Sequence, residues 1–71
     1  MENSIRMTLK AARVNAGLSQ KEAAKKLNIS NKTLGRWENG LSSPTADKIE
    51  SICMVYRVAY DNLIFLTNNS L

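Results

Sequence analysis

Residues 19–39 read SQKEAAKKLNISNKTLGRWEN, and this stretch contains the clearest helix start in the sequence. Ser19, followed three residues later by Glu22, forms the pattern of a capping box, which marks the start of a helix. The Ser19 hydroxyl can accept from the Glu22 amide, while the Glu22 side chain reaches back to the Ser19 amide. The pattern therefore predicts a helix that runs from Gln20 to about Leu27.

A second short helix is predicted directly after the first. Asn28 is one of the few non-glycine residues that tolerate a left-handed backbone, so it suits a tight turn. Ser30 is a favourable N-cap for the next helix, and Asn39-Gly40 supplies its C-terminal stop. Two helices of about eight residues joined by such a turn form a helix-turn-helix, which we place at about residues 20–39.

The segment before this unit predicts one more helix. It ends near Ala16, with Gly17 in the position that accepts a left-handed conformation. Its start is ambiguous, because Ser4 and Thr8 are both suitable N-caps. Helical spacing gives it one buried face, formed by Ile5, Leu9, Ala12 and Ala16.

The segment after the unit predicts two further helices. Thr45 is expected to cap a fourth helix that runs to about Tyr56, and a short fifth helix is expected from Tyr60 to Leu66. The fourth helix is expected to bury Ala46, Ile49, Ile52, Cys53 and Tyr56. Because no alternating strand pattern competes, we predict an all-α fold of five helices, one domain over residues 1–71 with its core at about 5–66.

Composition excludes several classes of protein. A chain of 71 residues with one cysteine and no histidine has no internal disulfide, and a zinc site is not expected. We expect no cofactor and no enzymatic activity, because a histidine base, a glycine-rich phosphate loop and paired catalytic carboxylates are all lacking. With no long apolar run and no signal-peptide pattern, the chain is predicted to be cytoplasmic and free of membrane contact.

The charge distribution points to a polyanionic partner. Residues 1–36 hold eight basic and two acidic side chains, whereas residues 37–71 hold two basic and four acidic ones. A basic excess at one end of a small domain is typical of nucleic-acid binding.

The third helix is predicted to separate a reading face from a core face. At about 100° per residue, Asn31, Gly35, Lys32 and Arg36 fall on one polar arc, while Trp37 falls on the apolar side. Asn31 can pair with adenine, and Lys32 and Arg36 can donate to guanine in the major groove. Backbone phosphates are expected to contact Gln20, at the start of the second helix, and Lys10, Lys21 and Asn39; the Gln20 amide is alternatively a brace for Asn31.

Several spaced motifs together resemble a known family. They are Arg13, the run Gly17-Leu18-Ser19-Gln20, Ala24, and the run Trp37-Glu38-Asn39-Gly40. In this combination the chain resembles the phage repressor and Cro type of helix-turn-helix protein, the XRE family, over roughly residues 5–65. Asn28 departs from the glycine usual in the turn of that family.

The resemblance implies a compact five-helix, lambda-repressor-like domain that binds double-stranded operator DNA as a two-fold dimer. It places base-reading residues at Asn31, Lys32, Thr33 and Arg36, of which Thr33 rests on the resemblance alone. It matches Gln20 to a phosphate-binding glutamine and implies a structural ion pair between Arg13 and Glu38.

The sequence leaves two questions of function open. The first is whether the chain is a repressor of phage or mobile-element type, or an antitoxin or protein-interaction adaptor built on the same helices. The second is how a homodimer forms. The apolar C-terminal residues exceed what a short helix buries, so part of the following set is a candidate dimer surface: Tyr60, Leu63, Ile64 and Phe65.

Overall fold

A computed structural model describes residues 6–66 of the chain. This part contains four helices, α1 (Leu9–Asn15), α2 (Gln20–Leu27), α3 (Asn31–Glu38) and α4 (Ala46–Tyr56). Two short strands, β1 (Met7–Thr8) and β2 (Leu63–Ile64), flank them, and a 3₁₀ turn at Tyr60–Asn62 precedes β2. Helix α2 packs against both α3 and α4, and the core between them is centred on the fully buried side chains of Leu27, Leu34 and Ile52.

The helix starts follow the predicted caps. Ser19 and Glu22 form the complete capping box, with a distance of 3.0 Å from the Glu22 amide to Ser19 Oγ and 2.8 Å from the Ser19 amide to Glu22 Oε1. These bonds lower the pKa of Glu22. Ser30 Oγ accepts from the Thr33 amide at the start of α3. Thr8 caps α1 through the Ala11 amide, which resolves the choice between the two candidate caps; Ser4 lies outside the described residues.

The predicted turn residues adopt the required backbone. Gly17 and Gly40 have φ of 78° and 75°, and Asn28, which ends α2, has φ of 60°. The turn from α2 to α3 is also held from outside, because Lys48 on α4 donates from Nζ to the Leu27 carbonyl at 2.9 Å. This hydrogen bond satisfies one of the carbonyls that a helix end leaves without an intrahelical partner. The relative placement of α2 and α3 is therefore fixed both by the turn and by α4.

The fifth helix predicted for Tyr60–Leu66 is wrong. After the 3₁₀ turn the chain is extended, and β2 pairs with β1 in parallel, Met7 opposite Leu63 and Thr8 opposite Ile64. Burial from residue 63 onward alternates, with Leu63 buried and Ile64 exposed, which is the period of a strand and not of a helix. The strictly all-α prediction fails on this pair of strands.

Helix α4 buries less than predicted. Ile52 and Tyr56 lie in the core, but Ile49 and Cys53 are half-buried and Ala46 is exposed. Thr45 occupies the N-cap position without making a capping bond, and its hydroxyl donates to Asp47 Oδ1 at 2.6 Å. The predicted start of α4 is therefore correct, and the predicted cap interaction is wrong.

Arg57 ends α4 in a left-handed conformation that the sequence did not indicate, with φ of 56° and ψ of 51°. This conformation costs a non-glycine residue roughly 1–2 kcal/mol. We therefore expect Arg57→Gly to raise the free energy of unfolding by about 0.5–1 kcal/mol, after allowing for the extra chain entropy of glycine. Urea denaturation followed by circular dichroism measures the change. Arg57→Ala is the matched control, and equal stability of the two variants would contradict the expectation.

Candidate nucleic-acid interface

Helix α3 divides its side chains between solvent and core. Asn31, Lys32 and Arg36 are exposed, while Leu34 is fully buried and Trp37 is 7% exposed. The prediction that Trp37 belongs to the core is confirmed. The three exposed residues provide amide, ammonium and guanidinium donors on one face of a helix of eight residues. An α-helix with its side chains is about 10–12 Å across, which fits the roughly 12 Å width of the major groove of B-DNA.

Thr33 is half-buried and its side chain is held locally. Ser30 Oγ donates to Thr33 Oγ1 at 3.0 Å and also accepts from the Thr33 amide. The Thr33 hydroxyl hydrogen is not used in these bonds, so Thr33 keeps one donor beside the exposed start of α3.

Arg36 extends toward the loop after α3. Its Nη2 donates to the Leu41 carbonyl at 3.3 Å, an exposed and long hydrogen bond. Leu41 itself is 51% exposed, so an apolar side chain and the Arg36 guanidinium share this end of the helix. This contact could not be predicted from the sequence, because Leu41 follows the glycine stop and has the pattern of an ordinary loop residue.

Arg13 and Glu38 form a buried ion pair across the domain. Arg13 Nε lies 2.7 Å from Glu38 Oε2 and Arg13 Nη2 lies 3.3 Å from Glu38 Oε1. The two residues are 7% and 8% exposed. A third bond runs from Arg13 Nη1 to the Leu18 carbonyl at 3.0 Å. The hydrogen bond to Glu38 raises the pKa of Arg13 above its ordinary value, and α1 is thereby tied to both the end of α3 and the start of α2.

Tyr56 lies next to this pair in the core. Burial, assisted by the negative charge of Glu38, raises the pKa of Tyr56 to about 12. No described residue hydrogen-bonds its hydroxyl. The neutral phenol therefore packs beside the ion pair, and Tyr56 stays uncharged across the physiological range.

The Gln20 side chain is bound to this ion pair. Gln20 Nε2 donates to Glu38 Oε1 at 3.2 Å, and no hydrogen bond joins Gln20 to Asn31 among the described residues. The alternative role as a brace for Asn31 is therefore wrong for this structure. The sequence could not indicate the actual partner, because Gln20 and Glu38 are separated by 18 positions and meet only after α2 and α3 pack.

The remaining predicted phosphate contacts are exposed but lie on three different elements. Lys10 is on α1, Lys21 is on α2 and Asn39 ends α3. The structure therefore leaves all three side chains accessible. In residues 6–66 no group of three acidic, cysteine or histidine side chains could hold a metal ion, and no helix is long and apolar enough to cross a membrane.

Comparison with known proteins matches this arrangement to one family. The family model described as helix-turn-helix covers residues 9–63, which includes α1 to α4 and the first residue of β2. The chain belongs to the XRE-type helix-turn-helix family of DNA-binding transcription regulators. The family resemblance seen in the motifs is thereby confirmed, with four helices rather than five in residues 6–66.

Two curated relatives are similar to the chain. It is 41% identical over 61 residues to the HTH-type transcriptional regulator ImmR of Bacillus subtilis, covering 86% of this chain and 48% of ImmR. It is 36% identical over 56 residues to the antitoxin PezA of Streptococcus pneumoniae, covering 79% of this chain and 35% of PezA. The chain thus spans about half or less of the relatives it matches. No solved structure gave a significant match.

Proposed function

We propose that this helix-turn-helix domain binds near-palindromic operator DNA through the major groove and represses transcription, as a regulator of phage or mobile-element type. The observation that carries the proposal is the exposed donor face of α3, formed by Asn31, Lys32 and Arg36, on a helix whose other face is buried. Side chains held on a packed helix enter a groove in a defined orientation, which base recognition requires.

Each residue of this face has a proposed role. Asn31, in the first turn of α3, pairs with an adenine, and Lys32 and Arg36 donate to guanine O6 and N7. Thr33 completes the base contacts with its free hydroxyl hydrogen. Around this face, neighbouring phosphates contact the remaining donors, which fix the orientation of the domain but carry no sequence information; these are Gln20, Lys10, Lys21 and Asn39.

Gly35 has a proposed role through the absence of a side chain. A Cβ added there would lie 3.8 Å from Gln20 Nε2, an ordinary contact distance, so the fold itself has room for alanine. A mid-helix glycine costs about 1 kcal/mol relative to alanine. We infer that Gly35 lets the backbone of α3 approach the DNA closely.

Gly35→Ala is therefore expected to change stability and binding in opposite directions. The free energy of unfolding should rise by up to about 1 kcal/mol, while DNA affinity falls because the added methyl group holds the helix away from the bases. Urea denaturation and fluorescence anisotropy measure the two effects. A variant that is more stable and binds equally well would contradict the role of Gly35 in close approach.

The proposed active form is a homodimer. Tyr60 is 59% exposed and Ile64 is 38% exposed, and Phe65 packs beside Tyr60 with ring centroids 6.0 Å apart. Tyr60 and Ile64 are the exposed candidates for contact with a second copy of the chain, and Phe65, half-buried against the core, takes part through its contact with Tyr60. Leu63 is removed from the predicted set, because it is only 8% exposed and belongs to the core.

A second candidate function is an antitoxin or adaptor that binds another protein, which the similarity to the antitoxin PezA favours. Salt dependence separates the two. Binding of a fluorescent mixed-sequence duplex should weaken steeply between about 50 and 200 mM salt if several basic residues contact phosphates. Absence of duplex binding at the lowest salt would overturn the DNA-binding proposal and favour the adaptor.

A further inference from the structure

The Gln20 amide is held in one orientation by its partner. Glu38 is paired with Arg13, so both of its carboxylate oxygens act as acceptors. Gln20 must therefore present its NH₂ group to Glu38 Oε1, since the reverse orientation would place two oxygens in contact. One Nε2 hydrogen is used in that bond, and within residues 6–66 the second Nε2 hydrogen and Oε1 make no hydrogen bond.

The held amide also lies next to the proposed reading face. Gln20 Nε2 is 3.8 Å from the position that a Cβ on Gly35 would take, and Gly35 is part of the polar arc of α3. Gln20 is half-buried, whereas Glu38 beneath it is buried. The amide thus connects a buried carboxylate on one side to the accessible edge of α3 on the other.

We propose that Glu38 is a positioning residue for DNA binding, which holds the Gln20 amide so that its second Nε2 hydrogen is available to a phosphate oxygen. The inference rests on the proposed function, and it adds a role for Glu38 beyond joining α1 to α3. A glutamine side chain loses considerable freedom when it is fixed in a complex. Because Glu38 fixes it beforehand, less of that freedom remains to be lost on binding.

This role has a distinct consequence for specificity. Phosphate contacts carry no sequence information directly, so a released Gln20 amide should weaken binding to every duplex by a similar factor. The preferred sequence should stay the same. Glu38 would then control affinity without reading any base.

The test removes the ion pair without leaving a buried charge. Arg13→Met combined with Glu38→Met keeps the net charge of the chain, and hydrophobic replacement of a buried ion pair is often neutral for stability. Binding of a fixed duplex is compared for the wild-type chain, R13M/E38M, Gln20→Ala and the triple variant. Circular dichroism confirms that each is folded at the temperature used.

We expect R13M/E38M to weaken binding by about two- to tenfold. It should have no further effect once Gln20 is alanine, because the amide it positions is then absent. Lys32→Ala is the matched control background. In that background R13M/E38M should weaken binding by the same factor as in the wild-type chain, since separated sites act additively. The inference would be overturned if R13M/E38M lowered DNA affinity by equal factors in the Gln20→Ala and wild-type backgrounds, or if it did not lower affinity at all.

A measurement without DNA tests the same geometry. In nuclear magnetic resonance spectra, the Gln20 side-chain amide should exchange with water more slowly than that of Asn31, and R13M/E38M should remove the difference. Equal exchange in the wild-type chain would overturn the positioning role. A wild-type chain that binds no duplex overturns the proposed function as well, whereas salt-dependent binding without coupling between Gln20 and the ion pair overturns this inference alone.

Discussion

Glu38→Ala is expected to lower the free energy of unfolding by about 3 kcal/mol, because removal of one partner leaves the other charge buried and unpaired. Arg13 is 7% exposed, and alanine at position 38 removes both of its charged contacts at 2.7 and 3.3 Å. Only its bond to the Leu18 carbonyl would remain. A domain of this size has a total stability of roughly 4–10 kcal/mol, so the loss is a large fraction of the whole.

Thermal and urea denaturation measure this effect, and Glu50→Ala provides the control. Glu50 is an exposed glutamate on α4, and exposed charges contribute at most about 1 kcal/mol. Because Glu38 touches no base in the proposed complex, the preferred DNA sequence of Glu38→Ala should be unchanged. A changed preference together with unchanged melting would contradict the bracing role.

Arg36→Ala is expected to weaken binding to the preferred duplex by about 1–3 kcal/mol and to relax one base position. The guanidinium lies on the exposed face of α3, and its bond to the Leu41 carbonyl is long and exposed. Releasing that bond costs little, since water can replace it. Arg36 can therefore turn toward a guanine, and the small cost of releasing the Leu41 carbonyl takes little from the free energy of the guanine contact.

Lys25→Ala is the matched control for Arg36→Ala, because it removes one exposed positive charge from α2 without touching the reading face. It should lower affinity slightly and leave base preference unchanged. Competition against duplexes altered at single positions measures the preference. Unchanged affinity for the preferred duplex in Arg36→Ala would show that α3 is not the reading helix.

The predictions that succeeded depend on local physics. Ser19, Ser30 and Gly17 act on groups within a few residues, so the sequence indicates their roles directly. The polar and apolar sides of α3 follow from helical spacing alone. These features locate the candidate site in the sequence without knowledge of any tertiary contact.

The predictions that failed depend on contacts between distant segments. Residues 60–66 have an apolar composition that fits either a helix or a strand. Pairing of Leu63–Ile64 with Met7–Thr8 stabilises the strand. The left-handed Arg57 was not predicted because arginine carries no signal for that conformation, although the bonds that accompany it, from the Arg57 and Val58 amides to the Cys53 carbonyl, are local. The bond from Gln20 to Glu38 requires α2 and α3 to be packed first, so no local pattern could reveal it.

Sequence-specific DNA binding by the wild-type chain is measured most directly by selection from a random double-stranded DNA library, followed by sequencing. We expect enrichment of one motif with two-fold symmetry, its half-sites separated by about one helical turn, roughly 10 bp from centre to centre. Arg36→Ala, selected in parallel, should lose one position in each half-site. A library that shows no enrichment for the wild-type chain would contradict sequence-specific DNA binding and favour the adaptor.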